Sequence, residues 1–106
     1  MDERLYEARE KIMKSLANKY RLKIVDTLGE HNKMCVSDLE EELELNQSSV
    51  SKHLSILKSA GVVQSKKEGL KVYYTLKTPC IINYFTCVDN VIKSDLSDRM
   101  NILNNK

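Results

Sequence analysis

The sequence predicts a mainly α fold (α+β) with a single β-hairpin, in the order ααααββα. Three observations carry that prediction. Apolar residues recur at helical spacing in five separate stretches. Only two β-type runs occur, and they bracket a glycine. Three Gly and one Pro are too few for the many tight turns of an all-β chain. A length of 106 residues fits one domain, 1–106. A composition of 42% hydrophobic and 30% charged residues belongs to a folding chain, not a disordered one.

Each element has its own signal. Residues 2–16 are the first helix, since Leu5, Ile12, Met13 and Leu16 share helical spacing with charges between them. Asn18 caps a second helix, Lys19–Leu28, striped by Tyr20, Ile24, Val25 and Leu28; Gly29 stops it in the C′ role. Glu30–Met34 reads as a polar link. Ser37-Asp38-Leu39-Glu40 has the pattern of a capping box, with Ser37 capping and Glu40 reaching back. It opens a short third helix with Leu39 and Leu43 inward. Asn46 caps the fourth, Gln47–Ser59, where Val50, Leu54 and Leu57 lie at i, i+4 and i+7 and Gly61 is the stop. Val62–Ser65 and Lys71–Leu76 are the β-type runs, joined through Lys66–Leu70 with Gly69 able to supply a positive φ. Thr78 caps the last helix and Pro79 takes its first position. Ile81, Ile82, Phe85, Val88, Val91, Ile92 and Leu96 give that helix a wide apolar stripe, and the tail from Ser97 is expected to fray.

Charge is unevenly spread beneath a formal net of +2. Residues 35–46 carry five acids and no base; residues 47–71 carry five lysines and one acid, Glu68. A basic segment beside an acidic one points to a polyanion partner. No apolar run nears the ~20 residues that span a bilayer, so no membrane partner is expected. The N-terminus MDERLYEAREK is charged throughout, unlike a signal peptide. Three Cys without disulfide-framework spacing read as thiols of a reducing, cytoplasmic compartment.

Two short helices joined by a tight turn and followed by a basic hairpin make a winged helix-turn-helix. A polar helix face by itself is more often merely solvated; three elements in this order favour DNA. Gln47, Ser48 and Ser49 are short enough to let the helix start approach phosphates. Ser51, Lys52 and His53 reach further into the major groove, where Gln suits adenine and Ser suits any base edge. Lys66, Lys67 and Lys71 of the hairpin meet the neighbouring phosphate backbone. The expected partner is double-stranded operator DNA, with no cofactor required for binding it.

The segments LANKYRLKIVDTL (16–28), CVSDL (35–39), NQSSVSKHLSILKSAGVV (46–63) and KKEGLKVYYTL (66–76) resemble the arsenic-repressor, or ArsR/SmtB, family of bacterial and archaeal regulators. The likeness covers about residues 10–93. It implies a homodimeric repressor that leaves its operator when an inducer binds. It also implies that the first and last helices, residues 1–16 and 78–97, are dimerisation helices.

Family members differ in their effector sites. One site uses Asp and His of the last helix for zinc, nickel or cobalt. Here the two histidines, His31 and His53, both precede that helix, so such a site is not expected. The other is a thiolate motif, C-V-C-D-L-C, near the third helix. Cys35-Val36-Ser37-Asp38-Leu39-Glu40 keeps only its first Cys. Cys80 and Cys87 lie on the last helix, seven residues and about 10.5 Å apart, beyond the roughly 7 Å a disulfide spans. Joint chemistry therefore needs Cys35 or a second subunit. Cys80 is placed in the first helical turn, where the helix end favours a thiolate. Cys35, Cys80 and Cys87 are the candidate sensing residues. Three thiolates suit a soft metal or metalloid effector such as arsenite, antimonite, cadmium or lead. A pair suits redox or reactive-sulfur sensing, and a buried Cys suits packing alone.

The sequence has no Gly-rich phosphate loop and no Ser/His/Asp order, and the acidic cluster 38–44 belongs on a solvated helix face. No enzyme is expected. The alternative is a winged-helix protein-interaction module without sequence-specific DNA binding.

Overall fold

The computed structural model describes residues 2–104. The elements are α1 (Glu3–Leu16), α2 (Lys19–His31), β1 (Met34–Cys35), α3 (Val36–Leu43), α4 (Gln47–Ser59), β2 (Val63–Glu68), β3 (Lys71–Leu76) and α5 (Ile81–Asn104). This is the expected winged helix-turn-helix order with one two-residue strand added. Two helix starts follow the expected chemistry. Asn18 Oδ1 accepts from the amides of Tyr20 at 2.9 Å and Arg21 at 3.2 Å. Asn46 Oδ1 accepts from the amide of Ser49 at 2.9 Å.

Several boundaries differ from the sequence reading, and the helix starts and stops differ for physical reasons. The second helix runs past Gly29 to His31 and ends at Asn32, whose φ is 65°. Gly29 serves close approach instead of termination: a Cβ there would meet Ile82 Cδ1 at 3.0 Å. The third helix starts at Val36, because pairing with β3 holds Cys35 extended and makes it the cap residue. The capping box is therefore Cys35 with Asp38, whose Oδ2 accepts from the Cys35 amide at 3.2 Å, and not Ser37 with Glu40. The last helix begins at Ile81, after a tight turn in which the amides of Ile81, Ile82 and Asn83 donate to the carbonyls of Thr78, Pro79 and Cys80. Cys80 thus precedes α5 rather than lying in its first turn. The tail expected to fray continues the helix to Asn104; Met1, Asn105 and Lys106 fall outside the described residues.

The sheet order is β1-β3-β2, antiparallel throughout. Met34 pairs with Tyr74 and Cys35 with Tyr73, while β2 pairs with β3 from Val63↔Leu76 to Glu68↔Lys71. The ladder runs right to the turn, leaving only Gly69 and Leu70 as a two-residue loop, with φ 64° at Gly69. Lys66 and Lys67 consequently lie in β2, on alternating faces, and not in the loop.

The core is built from α2, α3, α4 and the sheet. Ile24, Val25, Leu28, Leu39, Val50, Leu54, Leu57 and Val63 are buried there. Each large side chain of this set contributes about 1.5–3 kcal/mol through burial. The helix α5 touches this core only through partly buried Ile81, Ile82 and Phe85. None of its 24 residues is buried. The radius of gyration is 16.9 Å, against about 13 Å for a compact chain of this length.

Candidate nucleic-acid interface

The helix α4 buries Val50, Leu54 and Leu57 and turns its other side outward. Gln47, Ser48, Ser51 and Lys52 are exposed, and Ser49 is half-buried. The Ser48 hydroxyl donates to Asn46 Oδ1 at 2.9 Å, which draws it onto the helix start. Lys52 has no carboxylate within ion-pair distance among the described residues. A cation among small hydroxyl side chains can enter a groove closely and hold phosphate there.

His53 is placed differently from its neighbours. It is half-buried on the flank of α4, between the core face and the polar face. Its Nδ1 lies 3.3 Å from Arg21 Nη1, and its ring centroid lies 5.9 Å from that of Tyr20. A guanidinium can only donate, so Nδ1 accepts and the ring proton sits on Nε2. Burial, then the charges of Arg21 and Lys52, push the imidazole below its ordinary pKa and favour the neutral ring. Arg21 Nε also donates to the carbonyl of Ser15 at 2.6 Å. The start of α2 thereby ties the end of α1 to the flank of α4. Neither Arg21 nor Tyr20 is legible as a site residue in the sequence, because the pairing spans 32 positions.

The hairpin presents Lys66, Lys67 and Lys71, all exposed, without ion-pair partners among the described residues. Glu68 is neutralised by Lys33, whose Nζ donates to Glu68 Oε2 at 2.7 Å. That hydrogen bond holds the Glu68 carboxyl below its usual range and anchors the hairpin to the segment before β1. Lys58 Nζ donates to Ser65 Oγ at 2.7 Å, which joins the end of α4 to β2. Helix and hairpin are therefore braced to each other and to the body. Leu70 at the turn is fully exposed.

The three cysteines are not brought together as a metal site. Cys35 is buried at the start of α3, its Sγ 3.1 Å from Ser37 Oγ. Its amide donates to Asp38 Oδ2, and hydrogen bonding by Cys35 holds that carboxyl below its usual range. Cys80 and Cys87 are exposed. Cys80 borders a groove lined by Ile12, Met13, Val62, Ile81 and Tyr84, where α1 and the start of α5 meet. Among the described residues, no cluster of three or more Cys, His, Asp or Glu side chains could hold a metal ion. One chain alone therefore does not fit a three-thiolate ion.

Tyr84, Val88, Val91, Ile92, Leu96, Met100, Ile102 and Leu103 of α5 are exposed, as are Leu5, Tyr6 and Met13 of α1. No helix among the described residues is long and apolar enough to cross a membrane.

Residues 18–65 match the pattern of a family described as "Bacterial regulatory protein, arsR family". The crystal structure of Rv0081 from Mycobacterium tuberculosis, described as an uncharacterized HTH-type transcriptional regulator, is similar over 93% of this chain and 99% of that one. The identity is 30% and the TM-score 0.80. The homodimeric winged helix-turn-helix DNA-binding domain of Mb0332 from Mycobacterium bovis, a possible ArsR-family regulator, covers 92% of this chain and 93% of its own. Its identity is 28% and its TM-score 0.78. The cadmium resistance transcriptional regulatory protein CadC of Listeria innocua is 40% identical over 70 residues, 66% of this chain and 59% of that protein.

Proposed function

The chain belongs to the ArsR family of transcriptional regulators, which are not enzymes, and from that premise we propose a homodimeric repressor that binds double-stranded operator DNA and releases it when an effector meets its cysteines. The observation that carries this reading is the contrast between an ordered α5 and its lack of buried residues. A helix is stabilised chiefly by packing an apolar face. Phe85, Val88, Ile92, Leu96, Met100 and Leu103 follow one another by three or four positions along α5. A second copy related by a twofold axis covers that stripe, together with Leu5, Tyr6 and Met13 of α1. Two copies of α4 then ride on one body and meet successive major grooves, about 34 Å apart. The hairpin lysines hold the flanking backbone.

The effector reading follows the exposed thiols. Cys87 lies exposed on α5, on the side away from the Phe85–Leu103 stripe, Cys80 lies exposed just ahead of the helix, and Cys35 caps α3. The likeness to CadC favours a soft ion such as cadmium or arsenite, with thiols drawn from two subunits. Oxidation to a disulfide or polysulfide is the second reading, favoured by the exposure of Cys80 and Cys87. In either case the effector must prefer the low-affinity arrangement of the dimer, or it shifts nothing.

The test joins sedimentation with gel shifts on a duplex selected from a random pool. The expected result is a dimer whose binding is salt-sensitive and sequence-specific. Release by cadmium or arsenite supports the first effector reading, and release only by peroxide or polysulfide the second. Induction that survives Cys80→Ser with Cys87→Ser rejects both. An absence of DNA binding at low salt rejects the repressor in favour of a protein-interaction module.

A further inference from the structure

We propose that the start of α2 is a second DNA contact, in which Lys19 and Lys23 hold backbone phosphates of the same duplex that α4 enters. The inference rests on the DNA-binding reading above. It adds an element outside both the helix-turn-helix and the hairpin.

Position comes first. The Tyr20 ring lies 5.9 Å from His53 on the flank of α4, and Arg21 Nη1 lies 3.3 Å from His53 Nδ1. These contacts fix the first turn of α2 beside His53 at the middle of α4, next to Lys52 in sequence. The Lys19 and Lys23 ammoniums stand 5.2 Å and 5.7 Å from the centroid of that same Tyr20 ring. Both are thus gathered at one ring, itself against α4. A helix about 10–12 Å across nearly fills a major groove about 12 Å wide. Groups held at the flank of such a helix meet the edge of the groove, which is a phosphate strand.

Charge comes second. Arg4, Lys14, Lys33 and Arg99 each meet a carboxylate within ion-pair distance. Among the described residues, Lys19 and Lys23 meet none. They stand exposed at the Tyr20 ring, and the charges of Arg21 and Lys52 both bear on His53 beside that ring, so like charges gather there with no carboxylate at ion-pair distance from either lysine among the described residues. Such a convergence is unfavourable alone and favourable beside a polyanion. The helix end is not the source of the attraction, since Asn18 already accepts from the Tyr20 and Arg21 amides. The ammoniums carry the contact as mobile point charges, which suits phosphate and reads no sequence.

The experiment compares the parent chain with the double variant Lys19→Gln, Lys23→Gln by fluorescence anisotropy. The probes are a duplex selected from a random pool and poly(dI-dC), each titrated over a range of salt. Circular dichroism and sedimentation check fold and association of the variant. The expected result is a salt slope shallower by about 1.8 per protomer and an affinity loss of roughly tenfold or more on both DNAs at moderate salt. Discrimination between the two probes stays unchanged. An unaltered slope and affinity overturn the proposal. A loss confined to the selected duplex also overturns it, since that is base reading. If the parent itself binds neither DNA at low salt, the DNA-binding reading falls along with this one.

Discussion

The helices α4 and α5 carry the same kind of apolar stripe, yet they meet opposite fates. Val50, Leu54 and Leu57 of α4 are wholly enclosed by their own chain. On α5, Val91 remains 68% exposed and Leu96 61%. Periodicity says that a helix has a face to cover, not whether the cover lies in the same molecule. What separates the two is company. The α4 stripe is met by α2, α3 and β2, whereas α5 packs on the core through Ile81, Ile82 and Phe85, and its later turns leave Val91, Leu96 and Met100 uncovered. One helix is therefore completed by its own chain, and the other is the face the proposed dimer would cover.

The sharpest way to break this contrast is Ile92→Glu with Leu96→Glu. The change removes four apolar side chains from the proposed dimer face, at about 1.5–3 kcal/mol each. Sedimentation should give a dissociation constant raised by roughly a thousandfold or more, with the circular dichroism of the body retained. A dimer of unchanged strength would place the interface elsewhere. Leu54→Ala acts on the other side of the contrast. It should lower stability by about 2–5 kcal/mol in urea melts. The joint between the two regions is tested by Gly29→Ala. Added helix propensity favours alanine by about 1 kcal/mol, while crowding of Ile82 costs about 1–3 kcal/mol. The net expectation is a loss of about 1 kcal/mol, relieved when Ile82→Val is added. Asn46→Ala removes the cap of α4 and should cost about 1 kcal/mol.

The smallest effect is a pH dependence. His53 has its pKa lowered in the folded chain, chiefly by burial. The unfolded state then binds more protons between the folded value and about 6.5. The stability associated with neutral His53 is fully present above about pH 6.5 and is lost as pH falls through the folded value. Chemical melts between pH 5 and 8 should show this slope in the parent and a flatter one in His53→Gln.

Five helices and the hairpin were legible because each had a local signal: a cap, a glycine, or a stripe of the right period. The strand Met34–Cys35 was not, since two residues cannot display alternation. Its presence moved the third helix start to Val36 and its cap to Cys35, which no reading of Ser37 and Glu40 alone could supply. Gly29 misled for a related reason. In sequence a glycine after an apolar stripe reads as a stop, and only the nearness of Ile82 reveals a need for space. At the candidate site, exposure of Gln47, Ser48, Ser51 and Lys52 followed from the period of α4. The bracing of His53 by Arg21 and of Glu68 by Lys33 did not, because each joins residues more than thirty positions apart.

The Gly29–Ile82 contact has a mechanical side. It sits at the near end of a helix of 24 residues, about 36 Å long. A tilt of about five degrees at that pivot swings the far end through roughly 3 Å, several times the displacement at the joint itself. Cys80 and Cys87 flank the pivot. Under the proposed effector reading, a small tilt set by chemistry at either thiol would be magnified along the shaft, and a methyl at Gly29 would crowd the Ile82 joint where that tilt begins.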